Sequence, residues 1–83
     1  MAKTTIREEE VIMESIYAIR PGEGRQWCIT LGRQLVRSKL SPAAAIQLAR
    51  RLARERYQRT GAPARVEFLG GVAPIVLGMY GLR

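Results

Sequence analysis

One amphipathic helix is the clearest element that the hydrophobic pattern predicts. Between Ser41 and Gly61, apolar residues recur at i, i+3, i+4, i+7 and i+8, which is the spacing of a helix with one buried face. Ser41 is a preferred N-cap, Pro42 is favoured at the first helical position, and Gly61 stands where a C′ glycine belongs. The pattern predicts a helix from Pro42 to about Thr60. Its apolar stripe comprises Ala45, Leu48, Ala49, Leu52 and Ala53, widened by Ile46 and Tyr57.

Three strands are predicted before this helix. Val11–Ile19 is rich in β-branched and aromatic residues, and Gln26–Leu31 alternates between apolar and polar positions. Gly32-Arg33 then suits a two-residue type II′ turn, which favours glycine first. Pairing across that turn places Ile29 opposite Val36 and Cys28 opposite Arg37. The predicted inner face carries Trp27, Ile29, Leu31 and Val36, and the outer face carries Gln26, Thr30, Arg37 and Lys39.

A second hairpin is predicted after the helix. Ala64–Leu69 and Val72–Leu77 flank Gly70-Gly71, a typical turn dipeptide. Pro74 has no N–H to donate to a neighbouring strand, so Val72–Leu77 is expected at an edge of the sheet. The predicted fold class is therefore α+β, with one helix packed on an antiparallel sheet in the order β-β-β-α-β-β. We expect a single domain over residues 11–83 after a flexible leader over residues 1–10.

The composition argues against an enzyme. The chain has no histidine, aspartate or asparagine, and Cys28 is its one cysteine. General acid–base catalysis and zinc sites rely on these side chains, so we expect no catalytic residues, no cofactor and no metal site. The carboxylates of Glu8, Glu9, Glu10 and Glu14 form the one acidic cluster, which would bind a hard cation only weakly. A solvated leader, or one that folds back on the arginines, is the preferred interpretation.

The charge is distributed unevenly along the chain. Residues 1–14 carry two basic and four acidic side chains, whereas residues 15–83 carry twelve basic and three acidic ones, for a net charge of +7. The basic segment over residues 15–83 favours polyanionic partners such as DNA or RNA. An arginine-rich composition can also arise without a function. A single cysteine indicates a reducing compartment. No signal peptide is recognisable, and Phe68–Leu82 is too short to span a bilayer, so we expect a cytoplasmic protein without membrane contact.

From residue 16 to residue 70 the chain resembles a known family. Pro21, Gly22 and Gly24 precede Trp27-Cys28-Ile29, and Gly32, the helix residues Ala45, Ala49, Leu52 and Ala53, then Val66 and Gly70 follow. In these positions the chain is similar to the small bacterial proteins grouped as domain-of-unknown-function family 2188. It differs in having Ala44 where that family has an acidic residue, and in its apolar C-terminal end. The resemblance implies a small α+β fold and leaves the function open.

Two basic surfaces are candidates for binding nucleic acid through its phosphates. On the helix, Arg50, Arg51 and Arg54 lie opposite the apolar stripe. On the outer face of the sheet, Arg33, Arg37 and Lys39 could act as a β-ribbon does in some repressors. The alternative is that both are solvated surfaces, since Arg51, Glu55 and Arg59 are spaced as a helical charge ladder. A basic nucleic-acid-binding protein is the leading prediction.

The C-terminal strand suggests a second function class, a protein-interaction module. An uncharged edge strand attracts a second chain, and a small domain often gains stability by association. We therefore predict a homodimer or an antitoxin-like partner, unless Met79 and Tyr80 fold back to complete the core. The predicted interface comprises Val72, Ile75, Val76, Leu77, Met79 and Tyr80.

Overall fold

The computed structural model describes residues 14–81 as one helix and five strands. The predicted leader and the predicted start of the first strand at Val11 lie outside these residues. The first described strand ends two residues later than predicted, at Pro21. The elements are β1 (Ser15–Pro21), β2 (Trp27–Leu31), β3 (Gln34–Leu40), α1 (Pro42–Thr60), β4 (Ala64–Phe68) and β5 (Ile75–Tyr80).

The five strands form one mixed sheet in the order β3-β2-β1-β4-β5. The α+β class and the element order are confirmed, but the purely antiparallel sheet is wrong, because β4 pairs with β1 in parallel. The direction of the chain explains this. It reverses at β2, at β3, at α1 and again at β4, so β4 runs the same way as β1 when it takes the free side of that strand. The remaining neighbours pair antiparallel.

The helix covers one face of the sheet and lies mainly over the central strands β1 and β4. Ala45, Ala49 and Ala53 are completely buried, and their short side chains let the helix approach the sheet closely. Leu48 and Leu52 are half-buried at the side of this contact. The sheet side of the core is formed by Tyr17, Ile19, Ile29, Ala64 and Val66.

The predicted helix boundaries and caps are confirmed. The helix runs from Pro42 to Thr60, and the side-chain oxygen of Ser41 accepts a hydrogen bond from the backbone N–H of Ala44 at 3.2 Å. Gly61 has a φ of 77° and its N–H donates to the carbonyl oxygen of Tyr57. A left-handed residue in this position satisfies one of the helix's free carbonyl groups and ends it. Ser41, Pro42 and Gly61 therefore start and end the helix at the predicted positions.

The β2–β3 hairpin has the predicted turn but a different register. Leu31 lies opposite Gln34, and Gly32 supplies a φ of 61° at the turn. Beyond the turn the register of the ladder shifts twice, and Arg37 lies opposite Ile29. The predicted pairs, Ile29 with Val36 and Cys28 with Arg37, are therefore wrong. Such shifts place extra residues in one strand as β-bulges. The predicted inner face survives them, because Ile29 is buried while Trp27, Leu31 and Val36 all pack against the core.

The β4–β5 connection is longer than the predicted two-residue turn at Gly70-Gly71. Phe68 pairs with Ile75, so residues 69–74 form the loop, and β5 begins only after Pro74. Pro74 cannot donate a hydrogen bond to β4, which explains why the ladder starts one residue later. The predicted edge position of this strand is confirmed. Its predicted bounds, Val72–Leu77, are wrong.

Candidate nucleic-acid interface

Three of the predicted arginines come together between the helix and the β5 edge. They line a shallow depression of about 250 Å³. No carboxylate of residues 14–81 lines this depression, so its electrostatic character is set by the three guanidinium groups. Without a bound anion, these like charges repel one another. The lining residues are Gln47, Arg50, Arg51, Arg54 and Tyr80.

Arg50 is held in place by the backbone of β5. Its Nε and Nη2 atoms donate to the carbonyl oxygen of Leu77 at 3.3 and 3.0 Å. Leu77 is the extra residue of a bulge, because Val66 pairs with Gly78 and Glu67 pairs with Val76. A bulge leaves its extra residue without a ladder partner, and Arg50 satisfies that free carbonyl group. This contact fixes one side of the guanidinium and leaves its Nη1 group for another acceptor.

The other predicted cations lie at the opposite edge of the sheet. Arg33 occupies the β2–β3 turn, while Arg37 and Lys39 lie along β3, and all three are exposed. Lys39 has a φ of 59°, an uncommon backbone conformation for a residue with a side chain. Because β3 and β5 are the two outer strands of a five-stranded sheet, they lie roughly 19 Å apart. The six predicted residues therefore form two separate clusters.

Several other arginines have structural partners. Arg20 Nε donates to the hydroxyl of Thr30 at 3.0 Å, which occupies part of the outer sheet face. Arg56 Nε donates to the hydroxyl of Ser15 at 2.8 Å, joining the helix to β1. The first contact links β1 to β2 and the second links α1 to β1, so both arginines have a structural role.

Two of the described carboxylates form ion pairs with a single arginine. Arg65 Nη1 lies 3.1 Å from Glu14 Oε1, and Arg65 Nη2 lies 2.7 Å from Glu67 Oε2. All three side chains are largely shielded from solvent, and Glu14 Oε2 and Arg65 Nε are buried without a hydrogen-bond partner. This cluster offsets one of the two acidic charges with the Arg65 guanidinium. It leaves Glu23 and Glu55 as the other acids of residues 14–81.

The helical charge ladder does not form as ion pairs. Within residues 14–81, no carboxylate oxygen of Glu55 comes within 4.0 Å of Arg51 or Arg59. Arg51 is therefore not neutralised by the residue that the spacing predicted. The alternative of a solvated helix face stays open, since Arg50, Arg51 and Arg54 are all exposed.

Tyr80 is a member of the depression that the sequence did not indicate. Its ring packs against the core and also lines the basic depression, whereas the pattern placed it in an oligomer interface. The signal was hidden because its position depends on the bulge at Leu77, which shifts the register of β5. Gln47 was missed for a simpler reason, since an exposed glutamine on a helix carries no distinctive signal.

The predicted interface residues divide into two groups. Leu77 and Tyr80 pack against the core, which confirms for Tyr80 the alternative of folding back. Ile75, Val76 and Met79 are exposed over 53%, 47% and 54% of their surface. Val72 is fully exposed in the loop before β5. The edge therefore carries exposed apolar side chains on both faces of β5 that the described part of the fold does not cover.

A larger depression of about 330 Å³ lies at the other edge of the sheet, where Cys28, Leu35 and Lys39 are among its lining residues. Cys28 is a free thiol.

Within residues 14–81, no three side chains of the metal-binding residue types cluster together. The helix that the structure describes is not apolar enough over its length to cross a membrane.

Comparison with known proteins adds no relative. A scan against models of protein families finds no match, and searches of curated proteins and of solved structures find no similar chain. The resemblance to family 2188 stays a prediction.

Proposed function

We propose that the protein is a non-enzymatic nucleic-acid-binding protein that contacts the phosphate backbone through the helix depression. The observation that carries this proposal is the arrangement of Arg50, Arg51 and Arg54 around one depression without a lining carboxylate. Arginine is well suited to phosphate because its planar group donates two parallel hydrogen bonds. A phosphate bound there would also relieve the repulsion among the three cations.

The contact to Leu77 supports this proposal because it orients Arg50 in advance. Two of its N–H groups are used by the carbonyl oxygen, and the remaining groups face away from that partner. A guanidinium that is already ordered loses less conformational entropy when it binds a phosphate. Arg51 and Arg54 carry no such bond within the described residues and act as adaptable neighbours.

Recognition by this site should depend little on base sequence. No element of residues 14–81 combines these arginines with the base-reading side chains of a known groove-binding motif. The free thiol of Cys28 fits a reducing environment, and we place the protein in the cytoplasm. The cluster of Arg33, Arg37 and Lys39 is a second, weaker contact in this proposal, since it lies at the far edge of the sheet.

The test compares two variants that lose the same charge. In Arg51→Gln/Arg54→Gln the depression loses two cations, while Arg50 keeps its structural contact. The matched control is Arg25→Gln/Arg59→Gln, which removes two exposed cations elsewhere. Fluorescence anisotropy with labelled oligonucleotides, between about 50 and 200 mM NaCl, gives the dependence of affinity on salt.

We expect the first variant to flatten the salt slope by up to about two units, because each arginine neutralises about one phosphate. The control should bind almost as the wild type does. The proposal is wrong if the wild type binds neither single-stranded nor duplex oligonucleotides at low salt. Equal losses in the two variants would mean that net charge alone, and not the depression, governs binding.

A further inference from the structure

The two edges of the sheet differ in charge. The β3 edge is flanked by Arg33, Arg37 and Lys39, and charged side chains of this kind discourage a second strand from pairing. Residues 68–81 contain no charged side chain, and the charged group bonded to the β5 backbone is Arg50, at the Leu77 carbonyl of the bulge. The β5 edge is therefore less charged than the β3 edge, and its backbone on either side of Leu77 is accessible to another chain.

The open edge also carries apolar side chains that the fold does not need for its own core. Leu77 and Tyr80 supply the inward contacts of β5, while Ile75, Val76 and Met79 remain about half exposed. They lie on both faces of β5, since Ile75 pairs with Phe68 on the helix side, whereas Val76 and Met79 pair with Glu67 and Arg65 on the other side. An occupant of this edge would cover part of this apolar surface and pair with the backbone groups of β5 other than the Leu77 carbonyl.

We propose that the occupant is a second copy of this chain, paired antiparallel along β5 about a two-fold axis, and that it completes the nucleic-acid site. An antiparallel pair of identical strands is self-complementary, as a two-fold interface requires. The β5 strand carries no charged side chain, so pairing two copies along it buries no side-chain charge within the ladder. An acidic partner would be drawn instead to the arginines.

The symmetry places both helices on the same side of the joined sheet. A two-fold axis that pairs two antiparallel edge strands stands perpendicular to the sheet. The helix-covered faces of the two copies therefore lie on the same side of the joined sheet. Arg50 reaches Leu77 of β5, which shows that the depression lies on the side of the helix nearest this axis. The two depressions therefore face each other across the pair of β5 strands.

The spacing of strands gives the width of the resulting groove. The helix lies over β1 and β4, and neighbouring strands are about 4.8 Å apart, so the two helix axes would lie about 20 Å apart. Subtracting a helix diameter of about 10 Å leaves a groove about 10 Å wide. Both walls carry arginines, and the floor is formed by the β5 strands. This width suits one extended nucleic-acid strand, which identifies single-stranded nucleic acid as the preferred ligand, an assignment that rests on the proposed function.

The test introduces one charge on either edge of the sheet. Val76→Lys places a cation on β5, and Leu35→Lys is the matched control, because Leu35 is 58% exposed on β3, the other edge strand. Sedimentation velocity at about 10–100 µM gives the mass, and circular dichroism verifies the fold. We expect a dimer for the wild type and for Leu35→Lys, and a monomer for Val76→Lys. A monomeric wild type, a dimeric Val76→Lys or a monomeric Leu35→Lys would overturn the β5 pairing.

Oligonucleotide binding by the same variants tests the shared groove. Val76→Lys adds a positive charge, so simple electrostatics would strengthen its binding. We expect the opposite, a loss of about tenfold for a single-stranded 20-mer, since the monomer retains only half of the site. Undiminished affinity would overturn the shared groove, and equal competition by a duplex would overturn the single-strand preference.

The two proposals can fail separately. If the wild type is monomeric but Arg51→Gln/Arg54→Gln weakens oligonucleotide binding, the assembly is wrong and the proposed function stands. If the dimer forms through β5 but no oligonucleotide binds, the proposed function is wrong and the pairing stands.

Discussion

Gly70 shows how a single residue can be required for a reason that its neighbours in sequence do not reveal. As part of a Gly-Gly pair it is typical of a tight turn, yet its φ is not in the left-handed region. Its importance lies in close packing. A Cβ atom at this position would lie 2.5 Å from Trp27 Cη2 and 2.8 Å from Phe68 Cε2. Those two rings pack together with their centroids 4.8 Å apart, and Gly70 lies directly against the pair.

Replacing Gly70 with alanine should destabilise the protein. The added methyl group must displace two aromatic rings of the core, and such overpacking typically costs about 1–3 kcal/mol. Gly71→Ala is the matched control, because a methyl group on Gly71 would have no atom within 4 Å and the φ of this residue is not positive. That substitution should be neutral or slightly stabilising. Urea unfolding followed by circular dichroism measures both, and equal stabilities would contradict the packing role of Gly70.

At the scale of elements, the alanine face of α1 sets how closely the helix approaches the sheet. Ala45, Ala49 and Ala53 recur every four residues and are completely buried. Larger side chains at these positions would push the helix away from β1 and β4. The distance between helix and sheet therefore depends on three methyl groups.

Ala49→Leu should lower the free energy of unfolding by about 1–3 kcal/mol, because the longer side chain cannot enter the contact without moving the helix. Ala43→Leu is the control, since Ala43 is exposed on the same helix. Leucine and alanine have similar helix propensities, so the control isolates packing from helix formation. Thermal and urea unfolding give the comparison. A loss in Ala43→Leu as large as that in Ala49→Leu would show that the alanine face is not the critical contact.

The sequence predicted those elements whose signals are local. The helix follows from a cap, a proline and a periodic stripe within one segment, and the hairpin turn follows from Gly32 alone. Strand register was harder, because bulges at Leu77 and within β2–β3 depend on contacts between strands. The parallel pairing of β1 with β4 was missed because no single segment encodes it.

The candidate site was predictable in its residues but not in its grouping. The sequence indicated Arg50, Arg51 and Arg54 on one helix face, and the structure gathers them around one depression. It could not indicate that Arg37 and Lys39 lie at the opposite edge, since that depends on strand order. Nor could it pair Arg50 with the backbone of β5, a contact that only the bulge creates.

For the whole molecule, net charge opposes one proposed interaction and drives the other. Two copies of a chain with a net charge of +7 repel each other, whereas a polyanion is attracted. Raising NaCl from about 0.1 to 1 M shortens the screening length from about 10 Å to about 3 Å. We therefore expect opposite responses, with the dimer dissociation constant falling and the oligonucleotide dissociation constant rising. Sedimentation and anisotropy in the same buffers test this. Weakening of both by salt would contradict apolar pairing along β5.

The parallel pairing of β1 with β4 also has a consequence for how the chain folds. Ser15 lies opposite Ala64 and Ile19 lies opposite Phe68, so β1 gains its second neighbour only after two strands and a helix have intervened. Contacts between residues so distant in sequence are associated with slow folding, because the intervening loop must close before they form. During synthesis, the central strand β1 therefore has one side unpaired until β4, in the final third of the chain, has been made.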